Sequence, residues 1–315
     1  MSIPHVLQLG TYPAWDEEPL GQNYCIHRVS GPPDKAALDG IPASLVQGLI
    51  TNGGLGVPST LIDALPALEV ISIYGVGYDR IDLDLCRARG IKVGNTPDVL
   101  TGDVADLCVG MILALDRGMI GADAWVRSGD WAAKGAYPLQ RRVYGRRAGI
   151  LGLGRIGEAI ARRLAGFDFT IAYSARSPKP VPEDWAFVPD AVTLARQSDI
   201  LIVALAATAE TRHIVGPEVI AALGSDGMVA NISRAANIDE EALLDALENG
   251  GLRAAALDVF EDEPQLNPRF VALKNVILQP HQASGTHETR RAMGQLMRDN
   301  LAAHFAGKPL PASVI

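Results

Sequence analysis

Several features are scarce in this chain of 315 residues. It has three cysteines, Cys25, Cys86 and Cys108, scattered and without a CxxC spacing. An odd, dispersed set of this kind argues against a disulfide framework and reads as small buried hydrophobes in a reducing compartment. No long apolar run occurs: the longest, 200–207, is far short of the ~20 residues of a membrane span. Lys and Arg total 28 against 36 Asp and Glu, a net charge of −8 with no basic run, so neither nucleic acid nor a membrane is an expected partner. The opening MSIPHVLQLGTY has no basic region ahead of an apolar core, so no signal peptide is expected and a cytoplasmic location is. Low-complexity segments and short repeats are lacking too, and no metal is expected.

What is present is an alternation of short apolar runs with helical patterns, centred on AGILGLGRIG at 148–157. Gly149, Ile150 and Leu151 read as a buried strand running into Gly152-Leu153-Gly154-Arg155-Ile156-Gly157, with a helix over 158–165 behind it. The first glycine of such a turn permits tight reversal, and the second lets a pyrophosphate lie against bare backbone. The third brings the helix close to the strand, and the helix N-terminus supplies unpaired N–H groups and a positive dipole end. The flanking strand and helix favour dinucleotide binding over a merely structural turn.

Before this stretch, 5–9, 45–51, 70–74 and 91–94 read as strands, and 60–65 and 82–89 as helices. That alternation predicts a parallel sheet with helices on its faces. Two glycine-rich turns follow strands here, Asn52-Gly53-Gly54-Leu55-Gly56 and Gly75-Val76-Gly77-Tyr78-Asp79. Their N–H groups suit a small anion such as a carboxylate; ordinary tight turning explains the glycines equally well. Residues 95–98 look like a crossover between lobes. A long helix is expected over 103–120, capped by Thr101 or Asp103, and a shorter one over 122–126. After the glycine fingerprint, 169–173, 199–204, 228–232, 254–259 and 276–278 read as strands, and 239–248 as an amphipathic helix. The last helix, 286–306 with Gly307 as its stop, is too short to be a domain and is expected to return to the first lobe. The expected fold is α/β, with two doubly wound parallel-sheet lobes. A dinucleotide-binding domain over 99–285 is inserted in a substrate-binding domain formed by 1–98 and 286–315.

The end of the second nucleotide-domain strand reads Ser174-Ala175-Arg176-Ser177, with Lys179 close behind. An enzyme preferring NAD places Asp or Glu here for the ribose 2′-hydroxyl. Arg176 instead offers a planar fork for a 2′-phosphate and Ser177 a hydroxyl donor; a solvated loop arginine is the plainer alternative.

Three polar side chains follow strand ends downstream: Arg234, Glu263 and His281. Hydride transfer to a ketone requires an acid for the carbonyl oxygen, and imidazolium is the side chain suited to neutral pH. A carboxylate beside it orients the ring and favours its charged form. A guanidinium polarises the carbonyl and grips a neighbouring carboxylate. Each residue alone is ordinary, since a histidine after proline is more often a plain loop residue. Their joint order behind a dinucleotide fingerprint points to chemistry.

With GVGYDRIDL at 75–83, NTPDVLTGDVADL at 95–107, GLGRIG at 152–157, LDVFEDEP at 257–264 and PHQASGTHETR at 280–290, the chain resembles the D-isomer-specific 2-hydroxyacid dehydrogenase family. Within it the likeness is to the glyoxylate/hydroxypyruvate reductase branch. The resemblance implies a Rossmann coenzyme domain inserted in a flavodoxin-like substrate domain, an active site between the lobes, and a homodimer built on the coenzyme domain. It implies Arg234 as substrate anchor, Glu263 as partner of the acid, and His281 as the acid/base. By the same carry-over, the backbone at Gly53, Gly54, Val76 and Gly77 receives the substrate carboxylate alongside Arg234 and His281. Thr101, Gly152, Gly154, Arg155, Ile156, Gly157 and Thr211 touch the cofactor, with Ser174, Arg176 and Ser177 on its ribose side and Asp258 near the nicotinamide amide.

Some positions depart from the family pattern. Ala235 follows the arginine where Gly is usual, and Ala206 stands two before Thr208 where Pro is common. Gln279 and Gln282 flank the Pro-His pair in place of apolar residues, and Gln282 would add an amide to the substrate pocket. With no further domain after residue 315, the longer phosphoglycerate dehydrogenases are not expected. The expected function is NADPH-dependent reduction of glyoxylate, hydroxypyruvate and similar 2-oxo acids to D-2-hydroxy acids, with His281 as general acid. An NAD-dependent dehydrogenase with another substrate is the alternative within the class, and a dinucleotide-sensing binding protein the alternative outside it. Trp131 either reaches a partner's active site or packs in its own subunit.

Overall fold

The computed structural model describes residues 3–29, 34 and 38–315. The chain divides into two compact units: unit 1 is Met1–Leu100 with Gly285–Ile315, and unit 2 is Thr101–Ser284.

Unit 1 runs β1 (His5–Leu9), α1 (Ala14–Asn23), β2 (Cys25–Val29), β3 (Val46–Asn52), α2 (Ser59–Asp63), β4 (Val70–Tyr74), α3 (Leu83–Arg89) and β5 (Lys92–Gly94). Among the described residues the strands pair in parallel, in the order β2-β1-β3-β4-β5, with an isolated antiparallel bridge from Gly94 to Ser313. The order reverses between β1 and β3, the place where open α/β sheets seat ligands. β4, Val-Ile-Ser-Ile-Tyr, is buried along its whole length, as a parallel strand covered on both faces must be. Asp82 caps α3 by accepting the Leu85 N–H at 2.9 Å, and Gly90 closes it at φ 69°, a left-handed turn that glycine adopts without a Cβ clash.

α1 and β2 were not expected from the sequence. α1 contains Pro19 and buries Asp16, both opposite to the local signature of a helix. β2 reads Cys-Ile-His-Arg-Val, an edge strand with little apolar character. The expectation that all three cysteines are buried is corrected as well. Cys86 and Cys108 are buried, and that burial pushes their thiols up to about 11 and about 12, whereas Cys25 is exposed.

Unit 2 runs α4 (Thr101–Asp116), α5 (Met119–Arg127), α6 (Asp130–Lys134), β6 (Arg147–Leu151), α7 (Arg155–Ala165), β7 (Thr170–Ser174), β8 (Ala186–Phe187), α8 (Ala191–Arg196), β9 (Ile200–Val203), α9 (Pro217–Leu223), β10 (Met228–Asn231), α10 (Glu240–Asn249), β11 (Ala254–Leu257), α11 (Arg269–Ala272) and β12 (Val276–Leu278). Its seven strands are all parallel, in the order β12-β11-β10-β9-β6-β7-β8. The core between sheet and helices includes Leu151, Leu201, Val203, Val229, Leu244 and Leu257.

The long helix expected over 103–120 is two helices. α4 stops at Asp116, a fully buried carboxylate held by Arg146 and, at 2.6 Å, by Arg253. Gly118 then turns the chain at φ 57° into α5. Thr101 and Asp103 lie inside α4 rather than ahead of it.

The final helix, α12 (His287–Phe305), belongs to unit 1. Thr286 caps it by accepting the Thr289 N–H at 3.1 Å, a polar N-cap worth about 1 kcal/mol. It docks on β4: Ser72 Oγ donates to Met297 O at 2.9 Å and Tyr74 OH to Arg290 O at 2.8 Å. Asn300 bonds the backbone at Asn95 and at Ala312. Beside it, Asp16 pairs with Arg298, in space that Gly294 leaves by having no side chain. Among the described residues, no helix is long and apolar enough to cross a membrane.

Candidate active site

β6 lies at the centre of the unit 2 sheet between β7 and β9, so the turn after it opens where the strand order reverses. Gly152 has φ 101°, and a Cβ there would lie 2.9 Å from the Ala204 carbonyl group beyond β9. A Cβ at Gly157 would collide with the Gly152 carbonyl, so the helix packs that close only because the third glycine is bare. Gly154 is different: it has no positive φ, and a Cβ there would meet nothing within 4 Å. Protein packing requires the outer two glycines; a ligand approaching the backbone accounts for the middle one. Gly154 is also the N-cap of α7 without any side-chain cap, which leaves the first-turn N–H groups to an anion. The residues present fit a dinucleotide pyrophosphate.

The other expected cofactor residues are spread around this turn. Arg155 is exposed at the first position of α7 and Ile156 is half-buried. Arg176, Ser177 and Lys179 are exposed on the loop after β7. Ser174 is buried; its hydroxyl donates to Pro189 O at 3.0 Å and its carbonyl accepts the Gly152 N–H at 3.0 Å, so it braces the turn. Thr211 Oγ1 accepts the Thr208 N–H at 2.8 Å and donates to Ala206 O at 2.9 Å, closing its own loop. Thr101 is half-buried at the start of α4.

Arg234, Glu263 and His281 follow β10, β11 and β12, three adjacent strands. The Arg234 loop is held from inside by amides. Asn231 Oδ1 accepts from Ser233 N at 3.0 Å and from Ser233 Oγ at 2.8 Å, while its Nδ2 donates to Arg234 O at 3.0 Å. Asn237 Nδ2 donates to Ser233 Oγ at 3.0 Å and Leu205 O at 3.1 Å. Asn231, Ser233 and Asn237 are all buried, and their mutual bonds brace the loop from inside, while Asn237 Oδ1 finds no partner among the described residues. Half-buried Arg234 donates Nη1 to Ser233 O at 2.8 Å.

Glu263 uses both oxygens. Oε1 accepts the Phe260 N–H at 2.9 Å, and Oε2 lies 2.7 Å from His281 Nδ1. Burial works to raise the Glu263 pKa, but the hydrogen bonds from His281 and Phe260 and the positive charges of His281 and Arg234 outweigh it and leave it lowered. An ionised carboxylate only accepts, so Nδ1–H donates to it and Nε2 takes no part in this pair.

His281 has φ 49°, and its N–H donates across Pro280 to Gln279 O at 3.0 Å. A non-glycine residue in this region is uncommon, and Asp258 helps to hold it there. Asp258, 1% exposed, accepts the Gln282 N–H at 2.8 Å and the Ala283 N–H at 2.9 Å. Burial raises its pKa, against the lowering pull of those two bonds and of the His281 charge. Gln282 donates its amide to that of Gln279, bridging the Pro-His pair. The Asn231–Ser233–Asn237 brace and the grip of Asp258 on the histidine loop were not foreseen. The only local signal for the brace is the Asn-x-Ser just ahead of Arg234.

In unit 1 the two glycine-rich turns follow β3 and β4, which are paired with Asn52 opposite Tyr74. A Cβ on Gly75 would lie 3.8 Å from Gly53 N, so the turns are neighbours. Asn52 Oδ1 accepts from Gly54 N at 3.0 Å and from Leu55 N at 2.9 Å, which engages one of the expected anion donors. Asn95 Nδ2 donates to Val76 O at 3.0 Å and Thr96 Oγ1 accepts from Gly75 N at 3.0 Å; neither bond uses the N–H of Val76 or Gly77.

Comparison with known proteins gives a consistent result. The profile of the D-isomer specific 2-hydroxyacid dehydrogenase NAD binding domain matches residues 109–283. A glyoxylate/hydroxypyruvate reductase A of Arabidopsis thaliana is 44% identical over 310 residues, 98% of each chain. The crystal structure of a 2-hydroxyacid dehydrogenase from Ketogulonicigenium vulgare Y25 is 62% identical with a TM-score of 0.93, covering 100% of this chain and 99% of that one. An NADPH-dependent glyoxylate/hydroxypyruvate reductase from Sinorhizobium meliloti, in complex with NADP and malonate, is 40% identical with a TM-score of 0.94, covering 99% and 97%.

Proposed function

The chain belongs to the D-isomer-specific 2-hydroxyacid dehydrogenase family, and we propose that it is an NADPH-preferring reductase acting first on glyoxylate and hydroxypyruvate. It is an NAD(P)-dependent oxidoreductase of 2-oxo acids. The observation that carries the assignment of roles is the 2.7 Å bond between His281 Nδ1 and Glu263 Oε2, on loops that follow adjacent strands to the Arg234 loop.

NADPH, held at the glycine turn 152–157 and by Arg176 and Ser177, would supply the hydride for the keto carbon. His281, with Nδ1–H on Glu263, gives the proton on Nε2 to the carbonyl oxygen as negative charge develops there, which leaves a neutral ring and an alcohol. Glu263 stays ionised throughout, stabilising the imidazolium and fixing the ring's direction. Arg234 grips the substrate carboxylate and polarises the carbonyl. On the strength of the resemblance, the turns at Gly53, Gly54, Val76 and Gly77 are assigned to substrate carboxylate binding. Because Gly54 N–H already donates to Asn52, the weight falls on Gly53, Val76 and Gly77.

The NADPH preference rests on exposed Arg176, Ser177 and Lys179 and on the lack of Asp or Glu at 174–177. The NADP complex of the Sinorhizobium meliloti relative agrees with it. Steady-state kinetics with both cofactors tests it: Arg176→Ala should lower kcat/KM for NADPH about tenfold, roughly 1.4 kcal/mol, and leave NADH nearly unchanged. A wild-type preference for NADH overturns the reading.

A homodimer and a cytoplasmic location complete the proposal. Met119, Ile120, Val126, Trp131, Leu139 and Tyr144 are all exposed within one stretch of unit 2, an apolar surface of the kind that marks an interface. Trp131, 64% exposed, is not packed in its own chain, in keeping with a reach toward a partner. The free cysteines Cys25, Cys86 and Cys108 suit a reducing compartment.

A further inference from the structure

β1 and β2 bring together three side chains that the reaction does not use: His5, Cys25 and His27. The parallel register sets His5 opposite Cys25 and Leu7 opposite His27. Residues two apart on a strand share a face, so Cys25 and His27 project together, with His5 beside them from the neighbouring strand. His5 Nδ1 lies 2.9 Å from His27 Nε2, and Cys25 Sγ lies 3.9 Å from the same nitrogen. All three donor atoms are within 4.8 Å of one another. In a tetrahedral site with metal–nitrogen bonds of about 2.0–2.1 Å and a metal–sulfur bond of about 2.3 Å, ligand atoms stand about 3.3–3.6 Å apart. The two observed separations bracket that span and the third is within 4.8 Å, so rotation about side-chain bonds is the adjustment an ion would require.

We propose that His5, Cys25 and His27 form a binding site for a divalent transition-metal ion of the zinc class, with the fourth position left to water. The donor set decides the class of ion. One thiolate and two neutral imidazoles suit zinc, cobalt, nickel or copper, whereas magnesium and calcium require oxygen ligands. One ligand comes from β1 and two from β2, and among the described residues β2 is the sheet edge, paired with β1. The ion therefore ties the edge strand to its neighbour. Cys25 is exposed and the histidines are half-buried, so the site loads from solution. The simpler use of the cluster is a stacked histidine pair, ring centroids 5.1 Å apart, with a bystander thiol.

Cobalt distinguishes the two readings. The full chain, stripped with a chelator, is titrated with Co²⁺ and then with Zn²⁺ while absorption is recorded. One Co²⁺ per chain, a near-ultraviolet thiolate-to-cobalt band and its displacement by Zn²⁺ are expected. Cys25→Ser should abolish the band. His27→Ala should weaken Zn²⁺ by roughly 10–100-fold or more, since disturbing even the outer partners of a metal site costs that much. Turnover of 2-oxo acids should be unchanged in both, which separates this site from the proposed reaction and confirms folding. His281→Asn should keep the band. Absence of the band in wild type, its persistence in Cys25→Ser, or its loss in His281→Asn each overturns the proposal.

Discussion

Units 1 and 2 are built alike, yet they present chemistry in opposite ways. Unit 2 offers side chains: a guanidinium, a carboxylate and an imidazole at the ends of three neighbouring strands, braced by buried amides and by Asp258. Unit 1 offers backbone: two neighbouring glycine turns shaped by Asn52, Asn95 and Thr96. Side-chain chemistry should fail when one functional group is removed. A backbone cradle should instead lose fit and leave the chemical step intact.

The largest expected effect lies in unit 2. His281→Asn should lower kcat by about 10²–10⁴, the usual worth of a general acid, and Arg234→Ala should lower kcat/KM by about 10²–10³, the worth of one preorganised charge-stabilising donor. Steady-state kinetics beside an unchanged melting temperature checks both. A rise in KM alone for His281→Asn would erase the contrast between the units.

Next is Asp258→Asn, which turns an amide N–H₂ toward one of two backbone N–H groups that now find carboxylate oxygens. A buried donor left facing a donor costs roughly 1–3 kcal/mol, so both melting temperature and turnover should fall. Full activity would show that the histidine loop holds itself. In unit 1, Asn52→Ala removes the acceptor from Gly54 and Leu55. A stability loss of about 1 kcal/mol is expected, with KM for the 2-oxo acid raised and kcat kept; a fall in kcat equal to that of Asp258→Asn would make the two units alike.

The smallest effect concerns acid stability. The folded-state pKa of Glu263 is lowered, so its stabilising contribution is full above the ordinary carboxylate range. It is lost as pH falls through the lowered value. Asp258, raised by burial, acts with the opposite sign: it opposes folding more as pH rises through the carboxylate range. Glu263→Gln should therefore flatten the acid limb of a melting-temperature profile, and Asp258→Asn should not.

Where the sequence was legible, one local signal sufficed. Buried strands such as β4 and β9 announce themselves by apolar runs, and α3 and α12 by Asp82, Thr286 and closing glycines. It was illegible where a partner far along the chain decided the outcome. α1 buries an aspartate because Arg298, 282 positions away, meets it. Asp116, the last residue of α4, is buried because Arg253, 137 positions away, pairs with it. Cys25 is exposed on β2, which among the described residues is an edge strand.

By itself the sequence determined the two parallel-sheet units and the glycine turn after β6, and it singled out Arg234, Glu263 and His281 as candidates. These depend on period, on the missing Cβ of glycine and on functional-group type, all carried by neighbouring residues. Only the tertiary structure decided that Nδ1 of His281 meets Glu263, that Asp258 anchors the histidine loop, and that two histidines and a thiol converge on one sheet edge. Such meetings depend on strand order and register, which settle when the whole core packs and which no short stretch of chain encodes.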